Sequence, residues 1–472
     1  MSGEISMSDV INVGQVVDSS RVGGLQARVF ILAVAAALVD GYDTQAITYT
    51  LSSMASEWKV RPQDFAPALT IGLAGLMIGG MVMGQLGDKY GRRPLVILST
   101  IVFGVCTFAI ASARSLDDLL WIRFVAGIGL GGLFPNITTI VADYAPEAKR
   151  RTAVMVVIGS LAAGAFLGGL LAKTVIPIFG WRAVFEIGGA LSLLTALICF
   201  ALLPESPTFL AARDGRDPRI GPLLLRIAPR LSIGPETRFV SHLGQEKQAS
   251  FSRLFAAGRA PVTILLWVAM IAQLIVVYIF SLWLPTLVKE NGNPVDVSLL
   301  ASALFSLGGL AGSFLLGPIS ERIGPHITLA ASYALVAAIS VVLSGSGTNV
   351  PLLYAASFAV GIVAFGTWSA LSALVAKFYP TEIRATGGGY AQGLGRIGSM
   401  LSPIIVGWAL AVGWKAHQVL LLPVVPACLA AVCVVMIGVL RKYAVDDDKG
   451  AGHNLQSMPI NTLSAGHSSG SG

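Results

Sequence analysis

Along this chain, apolar runs of about 20 residues alternate with short polar stretches, and the alternation recurs twelve times. A run of that length crosses a hydrocarbon layer about 30 Å thick as a single α-helix. The runs read as 28–53, 66–86, 95–113, 117–142, 152–173, 181–203, 261–288, 297–318, 327–345, 351–376, 386–411 and 416–440. Six lie on each side of a polar stretch from Pro204 to Ala260, which holds Gly, Pro and nine Lys or Arg residues. The pattern predicts an all-α integral membrane protein with twelve transmembrane helices in two six-helix bundles. Its parts are a cytoplasmic segment 1–27, a bundle 28–203, a cytoplasmic linker 204–260 with a short surface helix, a bundle 261–440 and a disordered tail 441–472.

The two halves repeat. GQLGDKYGRRP begins at Gly84 and GPISERIGPH at Gly317, while YAPEAKRRTA begins at Tyr144 and YPTEIRATGG at Tyr379. Both pairs lie about 233–235 residues apart, which predicts a duplicated six-helix unit. Lys and Arg set the orientation. With the N-terminus inside, the inner loops and the linker hold 20 of them and the outer loops seven, so both termini are expected in the cytoplasm.

Composition strengthens this picture. Only 12% of residues are charged, about half the usual share, and mean hydropathy is +0.75. The net charge of +7 comes from loop residues that orient the chain, so no nucleic-acid partner is expected. The first 27 residues lack a basic start followed by an apolar core, so the first run is expected to remain as a membrane helix. The four cysteines fall inside apolar runs, and nothing resembles a metal site.

Against that oil, a few charges stand out. Asp40 and Asp43 sit in ALVDGYDTQAITYTL, the first lying about 18 Å along the first helix and so near mid-membrane. Each acid costs roughly 2.5–3.5 kcal/mol on insertion scales, so the pair points to a function. At i and i+3 they are expected on one face, where burial and mutual repulsion make them candidate proton carriers. A helix-packing hydrogen bond is the structural alternative. Arg396, in GLGRIGS, also sits near the midplane, and its planar fork suits a carboxylate; the alternative is a static pair with Asp40 or Asp43. Arg123 lies towards the outer end of the fourth helix. Glu186 reads as a polar group near the outer interface, and Asp143 and Glu147 as a charge cluster beside Arg150 and Arg151.

GQLGDKYGRR resembles the loop pattern of the major facilitator superfamily between its second and third helices. Within that superfamily, Asp40-Gly-Tyr-Asp43 resembles the signature of the aromatic acid:proton symporters. INVGQVVDSSRVGGLQARVFIL, RFVAGIGLGGLFPNITTIVADYAPEAKRR, SLWLPTL and Arg396 fit the same branch. Pro204-Glu-Ser-Pro207 is similar to sugar porters, but no P-E-T-K-G follows the twelfth run. Gly164-Ala-Phe-Leu-Gly-Gly169 keeps the glycines of drug:proton antiporters without their proline.

The resemblance implies proton-coupled import of an aromatic carboxylate by alternating access, without covalent chemistry, across a bacterial-type inner membrane. Asp40 and Asp43 would couple protons, and Arg123 and Arg396 would bind substrate. Tyr42, Phe134, Tyr278, Trp283 and Trp368 are candidates to contact a ring, and Asn136 and Gln273 to bond its hydroxyls. Gly84, Asp88, Arg92, Arg93 and Asp143 would form a latch at the inner face. Glu321, Arg322 and Arg384 are its counterparts in the second half, where Pro325-His326 replace two basic residues. No G-x-x-x-x-G-K-[ST] loop is present, so an ion gradient is the expected driving force; the resemblance implies protons as the coupling ion and no cofactor. The partners are then a small aromatic carboxylate and the lipid bilayer, with no obligate protein. A symporter for a non-aromatic acid, a sugar porter, a drug exporter and a transporter-like sensor are the alternatives.

Overall fold

The computed structural model describes residues 10–234, 237–241, 251–256 and 258–456. Among these, twelve helices are long and apolar enough to cross a membrane. They are α1 (Gly24–Trp58), α2 (Ala66–Tyr90), α3 (Arg92–Ile110), α4 (Leu116–Tyr144), α5 (Glu147–Phe179), α6 (Trp181–Leu202), α7 (Ala260–Glu290), α8 (Val295–Ile323), α9 (Pro325–Gly345), α10 (Val350–Phe378), α11 (Thr381–Ala411) and α12 (Val424–Gln456). Several outrun the apolar runs that predicted them, because hydropathy marks the oily stretch whereas backbone capping decides where a helix stops. At the start of α1 the Gln26 side chain accepts from Gly23 N–H at 2.7 Å, and Lys59 ends the helix in the left-handed region at φ 55°. Gly91, at φ 107°, makes the sharp break between α2 and α3 that a residue with a Cβ resists.

The bundles repeat contact for contact. In the first, α2 packs on α4, α1 on α5 and α6, and α3 on α4 and α6. In the second, α8 packs on α10, α7 on α11 and α12, and α9 on α10 and α12. The register of these contacts is set by glycines. Side chains added at Gly75 and Gly79 would run into the backbone of Phe124 and Ile128; at Gly308 and Gly312 they would meet Phe358 and Ile362. Likewise Gly164 lies on the backbone of Leu38, and Gly398 on that of Ile271. Lipid gives helices no hydrophobic reason to associate, so close backbone approach at small residues supplies the packing.

The bundles meet through α5 with α8, α2 with α11, and α1 with α7. The α2–α11 contacts gather at the end away from the linker, where Ala66 lies against Gly407 and Thr70 Oγ1 donates to Met400 O at 3.5 Å. Towards the linker end, a Cβ on Gly84, Gly388, Gly389 or Gly393 would meet no atom within 4 Å.

The linker is more ordered than a spacer. It carries helices Pro207–Arg213 and Ile220–Ile227, and its strand Arg238–Val240 (β2) pairs in parallel with Val10–Asn12 (β1). Val13 and Val17, on the short helix Val13–Ser19, join Ile220, Leu224, Ile227 and Phe239 in one buried cluster with Val29 of α1. The expected disordered tail is helical through Gln456, and residues 457–472 lie outside the described ones. Of the cysteines, Cys199 and Cys433 are buried and Cys106 partly so, whereas Cys428 is exposed on the bundle surface.

Candidate functional site

Asp40 and Asp43 are both buried in α1, but they do not share partners as their spacing suggested. Three residues turn a helix by about 300°, leaving roughly 60° between two side chains, and inside a bundle that angle selects different neighbours. Asp43 turns into the first bundle. Its Oδ2 accepts from Thr107 of α3 at 3.2 Å and from Ser192 of α6 at 2.9 Å, while Oδ1 has no hydrogen-bond partner. That carboxylate fits because residue 188 is glycine, whose Cβ would lie 2.7 Å from Oδ1. Among the described residues Asp40 is held only by Thr44, at 3.4 Å on the next turn, and it lies within electrostatic reach of Arg396 in the other bundle.

Arg123 turns into the first bundle and not out to its surface. It is 9% exposed, its Nε has no partner, and it acts electrostatically on Asp43. Tyr42 donates to Val184 O at 2.6 Å, a strut between α1 and α6. Thr107, Ser192 and Gly188 went unremarked in the sequence, since isolated small residues in an apolar helix carry no pattern.

In the second bundle Arg396 is half-buried, and among the described residues no carboxylate lies within 4.0 Å of its guanidinium. A row of rings runs through the same bundle: Phe280 to Phe305 at 6.0 Å, Phe305 to Phe365 at 5.6 Å, and Phe365 to Trp368 at 6.2 Å. Tyr278 and Trp368 pack partly buried against the core. Trp283 is wholly buried in that core, which makes it packing in this conformation. Gln273 donates to Ala364 O at 2.8 Å and leaves its own oxygen unpartnered. Asn136 commits its amide to Met83 O and Gly132 O at 3.1 and 2.8 Å, so it locks α2 to α4 in place of binding a ring hydroxyl. Phe134 is half-buried one residue before Pro135, which lies inside α4 and has no N–H for the helix ladder.

The linker-end charges form a network centred on Arg92. Asp143 pairs with Arg92, not with Arg150 or Arg151, and also accepts from Ser206 at 2.6 Å. Asp88 reaches Arg92 only at 3.5 Å and is largely exposed. Arg93 donates to Phe200 O at 2.6 Å at the end of α6. Glu205, read in the sequence only as part of Pro204-Glu-Ser-Pro207, accepts from the backbone N–H groups of Arg92 and Arg93 at 3.1 and 3.2 Å, placing an anion on the N-terminus of α3. Arg150 instead pairs with Asp18, while Arg151 reaches across the bundle interface to Glu321 at 3.8 Å. Arg322, Arg384 and Glu186 are exposed, and Gly84 has open space beside it. Among the described residues no group of three His, Cys, Asp or Glu side chains is placed to hold a metal.

Twelve membrane-crossing helices in two bundles repeated contact for contact, with a buried acid of one within electrostatic reach of a half-buried arginine of the other, have the architecture of a membrane transporter. The Major Facilitator Superfamily pattern matches residues 33–298 and 266–462. The chain belongs to that superfamily and, within it, to the aromatic acid transporters. It is 33% identical over 402 residues to the 4-hydroxybenzoate transporter PcaK of Acinetobacter baylyi, covering 84% of this chain and 87% of that one. It is 31% identical over 435 residues to a gallate transporter of Pseudomonas putida, covering 92% and 96%. Among solved structures, a bacterial homologue of the human lysosomal transporter Spinster shares the fold at TM-score 0.71 and 16% identity, covering 88% of this chain and 98% of that chain.

Proposed function

We propose that this protein imports an aromatic carboxylate of the hydroxybenzoate type together with protons, by alternating exposure of a site between its bundles. The observation that carries the reading is Arg396: a half-buried guanidinium with no carboxylate within 4.0 Å among the described residues, within electrostatic reach of Asp40, in a bundle threaded by Phe280, Phe305, Phe365 and Trp368. A planar fork pairs with a carboxylate in two parallel hydrogen bonds, and aromatic rings favour offset or edge contacts with a ring acid. The names of the relatives, transporters of 4-hydroxybenzoate and gallate, support the same substrate class.

Asp40 and Asp43 carry the protons in this reading. Protonation removes charge that is costly at membrane depth and so couples proton movement in the first bundle to substrate movement at the site between the bundles. The excess of Lys and Arg in the loops at the linker end supports an inner-membrane orientation with both termini in the cytoplasm. The test is uptake of labelled 4-hydroxybenzoate into proteoliposomes under an imposed pH gradient. Accumulation against the substrate gradient that collapses when the pH gradient is dissipated is the expected result. Equal accumulation without a pH gradient would remove proton symport, and absence of counterflow with any ring acid would favour a sensor over a carrier. Transport of aliphatic acids in preference to ring acids would move the substrate class.

A further inference from the structure

One hydroxyl in the first bundle faces two acceptors. Ser192 Oγ lies 2.9 Å from Asp43 Oδ2 and 2.8 Å from the carbonyl oxygen of Gly188, one turn back on α6. A serine has a single O–H and donates to one of them at a time. When Asp43 is ionised, Ser192 donates to the carboxylate. When the serine hydrogen points at Gly188 O, the 2.9 Å contact is still a hydrogen bond provided that Asp43 carries the proton and donates to Ser192 Oγ. The Ser192–Asp43 hydrogen bond then persists in both protonation states, with the heavy atoms where they are.

We propose that Ser192 is a positioning residue that lets Asp43 gain and lose a proton inside the bundle by turning its hydroxyl between Asp43 Oδ2 and Gly188 O. The step balances simply. A proton arriving on Oδ2 forms its O–H bond, the Ser192 hydrogen swings to Gly188 O without leaving its oxygen, and loss of the proton reverses both movements. Thr107 donates to the same Oδ2 at 3.2 Å and has no second acceptor among the described residues, so it orients the carboxylate without toggling. Gly188 seats the other oxygen against bare backbone, which fixes which oxygen meets the hydroxyls. The charged and titratable groups that act on Asp43 are Arg123 from α4 and, on its own helix, Asp40 and Tyr42; α3 and α6 contribute the two hydroxyls.

The proposal rests on the proton-symport reading, and the experiment separates the two. For the full-length protein in proteoliposomes, pH-driven accumulation of labelled 4-hydroxybenzoate is divided by its counterflow at equal pH. Ser192→Ala should lower that ratio by about tenfold or more, and Ser192→Thr, which keeps the hydroxyl, should restore it to within about threefold of wild type. Thr195→Val removes a hydroxyl that bonds only Leu191 O at 2.8 Å on the same helix, and should leave the ratio unaltered. A Ser192→Ala ratio near wild type, or a Ser192→Thr ratio as low as that of alanine, overturns the toggle. If alanine fails to fold, Ser192→Cys keeps the shape with a weak donor, and a normal ratio there overturns it equally. A wild-type protein that shows counterflow but ignores the pH gradient fails earlier, and sinks the symport reading itself.

Discussion

The two bundles share a backbone plan and differ in chemistry. Gly75 and Gly79 on α2 meet α4 as Gly308 and Gly312 on α8 meet α10, residue for residue. Carried across that repeat, Asp40 of α1 corresponds to Gln273 of α7 at an offset of about 233 residues. One is a buried acid held by a single weak hydrogen bond; the other is a neutral amide bonded to Ala364 O. The linker ends diverge as well. Around α3, Arg92, Asp143, Ser206 and Glu205 interlock, whereas the α8–α9 turn carries exposed Glu321 and Arg322 and the interface pair with Arg151. Duplication therefore conserves how helices touch, because a Cβ at those glycines meets backbone that cannot yield. It leaves polar side chains free to diverge: the buried acids Asp40 and Asp43 lie in one bundle, and the half-buried Arg396 lies in the other.

The sharpest break of this comparison is in the acids. Asp40→Asn and Asp43→Asn should each abolish uphill uptake while at least one retains counterflow, and persistence of uphill accumulation in the double variant would take both acids out of coupling. Next is the cation in the opposite bundle. Arg396→Lys keeps the charge and loses the fork, so substrate affinity should fall about 10–100-fold, or about 1.4–2.8 kcal/mol. Normal binding in the folded variant, read as ligand-induced thermal stabilisation, would rule out the clamp.

The shared plan is tested by matched overpacking. Gly79→Val and Gly312→Val should destabilise their bundles by similar amounts, about 1–3 kcal/mol or more, measured as loss of monodisperse protein on heating in detergent. A large effect at one site alone would break the equivalence of the bundles. The smallest effects belong to the latch. Asp143→Asn should slow the transport cycle more than Asp88→Asn, since Asp143 is buried against Arg92 and Ser206 while Asp88 is exposed at 3.5 Å. Turnover and affinity measured separately check this order, and an equal or reversed ranking would return Asp88 to the centre of the latch.

Much of this architecture was legible in the chain itself. Twelve apolar runs, a duplicated loop and two acids inside the first run follow from what a hydrocarbon layer demands locally: about 20 oily residues per crossing, and a reason for every buried charge. Such demands act residue by residue along one helix, so sequence by itself determined the fold class and singled out Asp40, Asp43 and Arg396. Which groups those side chains meet was decided only in three dimensions. Asp43 finds Thr107 and Ser192 on helices 64 and 149 residues away, Asp143 finds Arg92 rather than its neighbours in sequence, and Asn136 turns from a ligand candidate into a helix lock. Side chains about 60° apart on one helix meet different partners, and which partners those are depends on how the helices face one another, set by glycine contacts that no local pattern records.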